Sequence, residues 1–196
     1  MIPHRPAAVL LDRDGVINAT VLDPRSGREE SPYSPGDVRL LDGAADAIRS
    51  LRERSIPVAV VSNQPAAAKQ THSLEELAAV DARIREILRA EGVEIDVWHY
   101  CLHHPEGTHR ELGRACSCRK PEPGLLLRAL RDLDVDPSSE VVIVGDGDAD
   151  IGAGHALGIT TILVEHPGTA HRRGEAEPDL RIASSDELAK VLVSDD

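Results

Sequence analysis

Phenylalanine is absent from these 196 residues, and with one Trp and two Tyr the aromatic share is only 2%. The core must therefore be built from Leu, Val, Ile and Ala, and a surface that stacks nucleic-acid bases is excluded. Basic residues are also short. Lys and Arg number 22 against 34 Asp and Glu, and the net charge of −12 leaves no footprint for a phosphate backbone, so no nucleic-acid partner is expected. No apolar run reaches the length of a membrane span, and the N-terminus has no apolar segment of the secretory kind. The expectation is a soluble cytoplasmic protein without a membrane partner. Cysteine is scarce too: three residues, all between positions 101 and 118. An odd, clustered set points to a metal before it points to disulfides.

The hydrophobic share of 41% suits a globular chain, and the length suits one domain, residues 1–196, expected as a monomer. Strand and helix patterns alternate. The apolar run Ala7–Leu11 reads as a strand buried on both faces, and Ile56–Val61, Asp96–Tyr100, Val141–Val144 and Ile159–Val164 read as four more. Between them, Asp42 can cap a helix through Ala45, Ile48 and Leu51. Ser73 and Glu76 have capping-box spacing and open a helix with a stripe of Leu74, Leu77, Val80, Ile84, Ile87 and Leu88. Leu125–Leu133, Ile151–Leu157 and Ser185–Val193 are further helices. Residues 18–37 look irregular, and the charged stretch 166–178 reads as a surface loop. Such alternation predicts an α/β fold with a doubly wound parallel sheet.

Acidic residues gather where such sheets place their ligands. Asp12-Arg13-Asp14-Gly15 follows the first strand and Gly145-Asp146-Gly147-Asp148-Ala149-Asp150 follows the fourth. An EF-hand is excluded, because its turn glycine would fall on Ile151 and its bidentate Glu on Leu157. If the two strands are neighbours, Asp12, Asp14 and Asp146 converge on one hard cation, which magnesium suits. Ser62, Asn63 and Gln64 offer a hydroxyl and amides at the end of the second strand, and Lys120 offers a cation.

In order and spacing, Asp12 with Asp14, Ser62, Lys120, and Asp146 with Asp150 resemble the four motifs of the haloacid dehalogenase (HAD) superfamily of phosphohydrolases. The resemblance spans residues 7–165 and implies a Rossmann-like, capless phosphatase. It also implies roles. Asp12 attacks phosphorus to form an aspartyl-phosphate; Asp14 protonates the leaving alkoxide and then deprotonates water. Ser62, Lys120 and Mg²⁺ stabilise the phosphoryl oxygens. Asp146 holds the metal, and Asp150 sits behind it, positioning its water shell or Lys120.

The cysteines lie in Cys101-Leu102-His103 and, twelve residues on, Cys116-Ser117-Cys118. Cys101, His103, Cys116 and Cys118 fit a closed tetrahedral zinc site, structural because no position is left open, with His104 as a substitute for His103. This 101–120 zinc-binding loop, running into Arg119-Lys120-Pro121, is similar to that of the zinc-containing heptose-bisphosphate phosphatases. It is also similar to the phosphatase domain of histidinol-phosphate enzymes. The resemblance implies a small phosphorylated sugar as substrate, with Arg119 on a distal phosphate. Lys69 also favours a second anion, and Asn63 and Gln64 are expected among the substrate-binding residues. Several stretches depart from the family: Val16, Pro65–Lys69, Gly147, and a longer segment 19–35 containing Tyr33. An amino-alcohol phosphate would want carboxylates in the distal pocket instead. A catalytically dead, zinc-ordered binding module would be expected to have lost Asp12, Asp14 or Lys120, and all three are present.

Overall fold

The computed structural model describes residues 3, 5–24 and 26–193. Its core is a six-stranded sheet, every neighbouring pair parallel. In chain order the sheet strands are β1 (Ala8–Leu11), β4 (Val58–Asn63), β5 (Val97–Cys101), β6 (Val141–Gly145), β7 (Thr160–Val164) and β8 (Leu180–Ile182). Their spatial order is β5-β4-β1-β6-β7-β8, so β1 lies between β4 and β6. The condition for joining the two acidic clusters is met.

Side-chain alternation along these strands builds two apolar layers. Val9, Leu11, Val58, Val60, Val142 and Val144 face one side, where α1 (Ala44–Glu53), α2 (Leu74–Ala90) and α5 (Glu187–Val193) bring Ile48, Leu51, Val80, Ile84, Leu88, Leu188 and Leu192. Ala8, Leu10, Ala59, Val61, Val141 and Ile143 face the other. They meet Leu125, Leu126 and Leu130 of α3 (Gly124–Asp132) and Ala153 of α4 (Asp148–Leu157). The sheet is doubly wound, and its central strands read as unbroken apolar runs because both faces are covered.

Differences from the sequence reading have local causes. The N-cap of α1 is Gly43, in the left-handed region at φ 76°, rather than Asp42. The Ser73–Glu76 capping box forms as expected, but Leu74 of the predicted stripe points to solvent at 51% exposure. Residues 18–37 contain an antiparallel hairpin, β2 (Val21–Asp23) with β3 (Arg28–Glu30), and a 3-10 turn at Pro35–Asp37. The stretch 166–178 contains a second 3-10 turn, Pro167–Arg172. β8, with only three residues and an Arg in the middle, is too short to announce itself by pattern. Among the described residues no helix is long and apolar enough to cross a membrane.

Candidate active site

The carboxyl ends of β4, β1 and β6 lie side by side and deliver the polar residues to one edge. The Asp12 N–H donates to the Val144 carbonyl (2.8 Å), which fixes Asp12 against the end of β6, two residues before Asp146. Gly15, at φ 86°, lets the chain reverse there. A Cβ at this position would collide with the Asp146 carboxylate, so only glycine permits the close approach.

Carboxylate oxygens of Asp12, Asp146 and Asp150 lie within 4.8 Å of one another, all buried. Lys120 is the cation among them. Its Nζ donates to Asp12 Oδ1 (3.0 Å), to the Val61 carbonyl (2.6 Å) and to Asp150 Oδ1. Burial alone would lower the Lys120 ammonium, but Asp12 and Asp150 outweigh it and raise it, so it stays charged. The acids hold more charge than the cations offset. Burial, opposed by Arg172 and reinforced by Asp12 and Asp150, pushes the Asp146 carboxyl up to about 8. Burial, opposed by Lys120 and reinforced by Asp12, pushes Asp150 up to about 6. A cluster of oxygen donors with surplus negative charge has the chemistry to hold a hard divalent cation.

The Asp14 carboxylate lies outside this cluster. It accepts from Arg13 (3.0 and 3.1 Å), Asn18 (2.8 Å), Gln64 (2.7 Å) and Ser31 (2.7 Å). Burial would raise this carboxyl, but Arg13 and the hydrogen bonds from Ser31, Asn18 and Gln64 hold it below the usual carboxylate range. Only the main-chain oxygen of Asp14 turns toward Asp146: both accept from Arg172 Nη1, at 3.4 and 2.9 Å. Arg172 was not anticipated from sequence, because it sits in a charged stretch with nothing to mark it as inward-facing.

The amides of the second strand end are also engaged within the protein. Asn63 brackets the Lys120 backbone, donating to its carbonyl (3.0 Å) and accepting from its N–H (3.1 Å). Gln64 donates to Asp14 and to the Ser62 hydroxyl (3.1 Å) and accepts from Arg13 (2.9 Å). Gln64 also lines a cavity of about 220 Å³ with Ser31, Tyr33, Lys69, His72, Asp23 and Glu30. Tyr33 stacks on His72 there, with ring centroids 5.1 Å apart. Arg119 donates to the His103 carbonyl (3.4 Å) and, with Lys69, lies close enough to His104 to depress its basicity, although burial does so more. The two predicted distal cations therefore flank one histidine.

Cys101, His103, Cys116 and Cys118 form a second cluster, with Sγ–Sγ distances of 3.3 to 3.5 Å and His103 Nδ1 at 3.5 Å from Cys118 and 3.8 Å from Cys101. Arms of about 2.3 Å from a central zinc give tetrahedral edges of about 3.8 Å, which the four donors reach with shifts of a few tenths of an ångström. The sulfurs are too far apart for a disulfide. His104 is not part of the cluster; its Nδ1 accepts the Glu106 N–H (3.1 Å).

Among known proteins, the HAD-hydrolase-like family model matches residues 117–188. The D-glycero-beta-D-manno-heptose-1,7-bisphosphate 7-phosphatase of Yersinia pestis is 31% identical over 186 residues, 94% of each chain. The enzyme of that name from Rhodopseudomonas palustris is 37% identical over 157 residues, 80% of this chain and 82% of its own. The crystal structure of D,D-heptose 1,7-bisphosphate phosphatase from B. bronchiseptica, complexed with magnesium and phosphate, superposes with a TM-score of 0.75. It is 26% identical and covers 93% of this chain and 96% of its own. With the same sheet, and relatives aligned along nearly its whole length, the chain belongs to the HAD-like phosphoric monoester hydrolases, in the heptose-1,7-bisphosphate 7-phosphatase family.

Proposed function

We propose that this protein removes the 7-phosphate from D-glycero-D-manno-heptose 1,7-bisphosphate through an aspartyl-phosphate on Asp12. The observation that carries this reading is the Asp12 carboxylate. It stands at the end of the central strand, touching Lys120 and facing Asp146 and Asp150. Asp12 attacks phosphorus with one carboxylate oxygen as the sugar alkoxide departs. Asp14 is assigned the two proton transfers, to that alkoxide and then from the water that releases phosphate. Since Arg13, Asn18, Gln64 and Ser31 hold its carboxylate ionised, it must give up these bonds and take a proton from solvent before it acts as the acid. Lys120 and Ser62 stabilise the phosphoryl oxygens, where loss of one well-placed donor costs about 3–4 kcal/mol. Asp150 holds Lys120 in place.

Magnesium fits the oxygen donors of Asp12, Asp146 and the Asp14 main chain, and when bound it supplies positive charge to the transferring phosphoryl group. Zinc fits the Cys101, His103, Cys116 and Cys118 set and would hold the 101–120 loop so that Arg119 and Lys120 arrive correctly. Arg119 and Lys69 are assigned to the distal phosphate, and Gln64 to the wall of the sugar cavity, where Asn63 serves instead by fixing Lys120. A cytoplasmic monomer acting on this small phosphosugar completes the reading.

A second reading is hydrolysis of histidinol phosphate. It is favoured by Asp23 and Glu30 in the cavity wall, carboxylates that would suit an ammonium group. Phosphate release against the heptose 1,7-bisphosphate, the 7-monophosphate and histidinol phosphate separates the two. Preference for the bisphosphate over the monophosphate is expected at ten- to a hundredfold in kcat/KM, about the worth of one charge-assisted pair. Arg119→Ala should remove most of it. Preference of the unaltered enzyme for histidinol phosphate would install the second reading.

A further inference from the structure

Arg172 ends the Pro167–Arg172 turn and sends its side chain, 23% exposed, into the acidic cluster. One nitrogen, Nη1, contacts both Asp146 Oδ2 (2.9 Å) and the Asp14 main-chain oxygen (3.4 Å). These are donors just assigned to magnesium. A divalent ion bound by those oxygens would sit at about 2.0–2.1 Å from each, in the space the guanidinium fills. The two cations cannot share it.

The backbone that carries Arg172 is tied down by its own contacts, whereas its side chain is held by Asp146 and the Asp14 main-chain oxygen through one nitrogen. The main-chain N–H groups of Gly174 and Glu175 donate to the Asp148 carboxylate at 2.9 and 3.1 Å. The Arg173 N–H donates to the Ala170 carbonyl at 3.2 Å, and its side chain donates to the His166 carbonyl at 3.0 Å. Gly147 makes room for the approach, since a Cβ there would come within 2.9 Å of the Arg172 Cβ and 3.0 Å of its carbonyl oxygen. Leaving the site requires rotation about side-chain bonds and loss of the Asp146 ion pair, which a divalent ion on the same carboxylate would replace; the side chain is 23% exposed.

We propose that Arg172 is a displaceable internal cation: it neutralises Asp146 in the metal-free protein and must swing out before a divalent ion can bind. Apparent metal affinity is then the intrinsic affinity multiplied by the fraction of molecules with Arg172 out. The inference rests on the reading of Asp146 as a magnesium ligand.

Calorimetric titration with MgCl₂ of the unaltered protein, Arg172→Gln and Asp146→Asn tests it. Arg172→Gln should bind Mg²⁺ about tenfold more tightly. Its melting temperature in EDTA should fall below that of the unaltered protein, and the rise on adding Mg²⁺ should be larger. Should the Gln variant prove unstable, Arg172→Met, of similar stem length, gives the same comparison. Equal or weaker Mg²⁺ binding by the Arg172 variants, with binding lost in Asp146→Asn, overturns the inference and leaves the ligand reading standing. Undiminished binding by Asp146→Asn overturns both.

Discussion

At the scale of single residues, the two aspartates of the first motif are held in opposite ways. Asp12 faces a cation it shares with Asp150, while Asp14 is enclosed by four donors that keep it ionised. Asp12→Asn preserves volume but removes the nucleophile. Turnover should vanish with the circular dichroism spectrum unchanged, and activity within tenfold of the unaltered enzyme, about 1.4 kcal/mol of barrier, would sink the assignment. Asp14 carries a pH signature. Its folded-state value lies below the ordinary 3.8, so its ionisation stabilises the fold fully above about pH 4 and less as pH falls through the depressed value. Arg13→Gln removes the main source of that depression. The variant should melt lower at neutral pH, and the gap should narrow as the pH falls below the ordinary carboxylate value and Asp14 takes up its proton. A gap that stays constant from neutral pH to the acid limit of the folded state would show that Arg13 contributes through packing alone.

At the scale of elements, the lysine assigned to the phosphoryl oxygens is delivered by the segment that carries the cysteines. Lys120 lies two residues beyond Cys118, and its backbone is gripped on the far side by Asn63. Protein purified without chelator should hold about one zinc per chain. Cys116→Ala should lose it and lower kcat by loosening Lys120, as read by elemental analysis beside phosphate release; full activity without zinc would uncouple the loop from catalysis. What the sequence disclosed follows the same division. Asp12 and Asp146 stand just past strongly apolar strands and the cysteines at ligand spacing, so those two meetings were legible; Lys120 was placed with the acids only by the family resemblance. The direction of the Asp14 carboxylate was not, because spacing places a residue without choosing between its side chain and its main chain. Arg172 and β8 were hidden for another reason: a charged turn and a three-residue strand carry no periodicity, and only tertiary contact gives them position.

At the scale of the whole molecule, a net charge of −12 must admit an anionic substrate, and a few cations at one edge of the sheet oppose it. Lys120 lies in that edge and Arg172 on its rim, with Lys69 beside the adjoining cavity. Local charge there decides more than the total. The parallel alignment of β1 with β6, Leu11 opposite Val144, has a consequence for assembly. Sliding one strand by a single residue would carry Asp146 about 3.3 Å past Asp12 and turn every side chain of that strand to the wrong layer. A collapsed chain with its strands out of step can have its helices and much of its apolar surface covered and still lack an active site. Recovered turnover after denaturation is therefore a gauge of strand alignment, and it should trail the return of helical signal by the time the sheet takes to find its register.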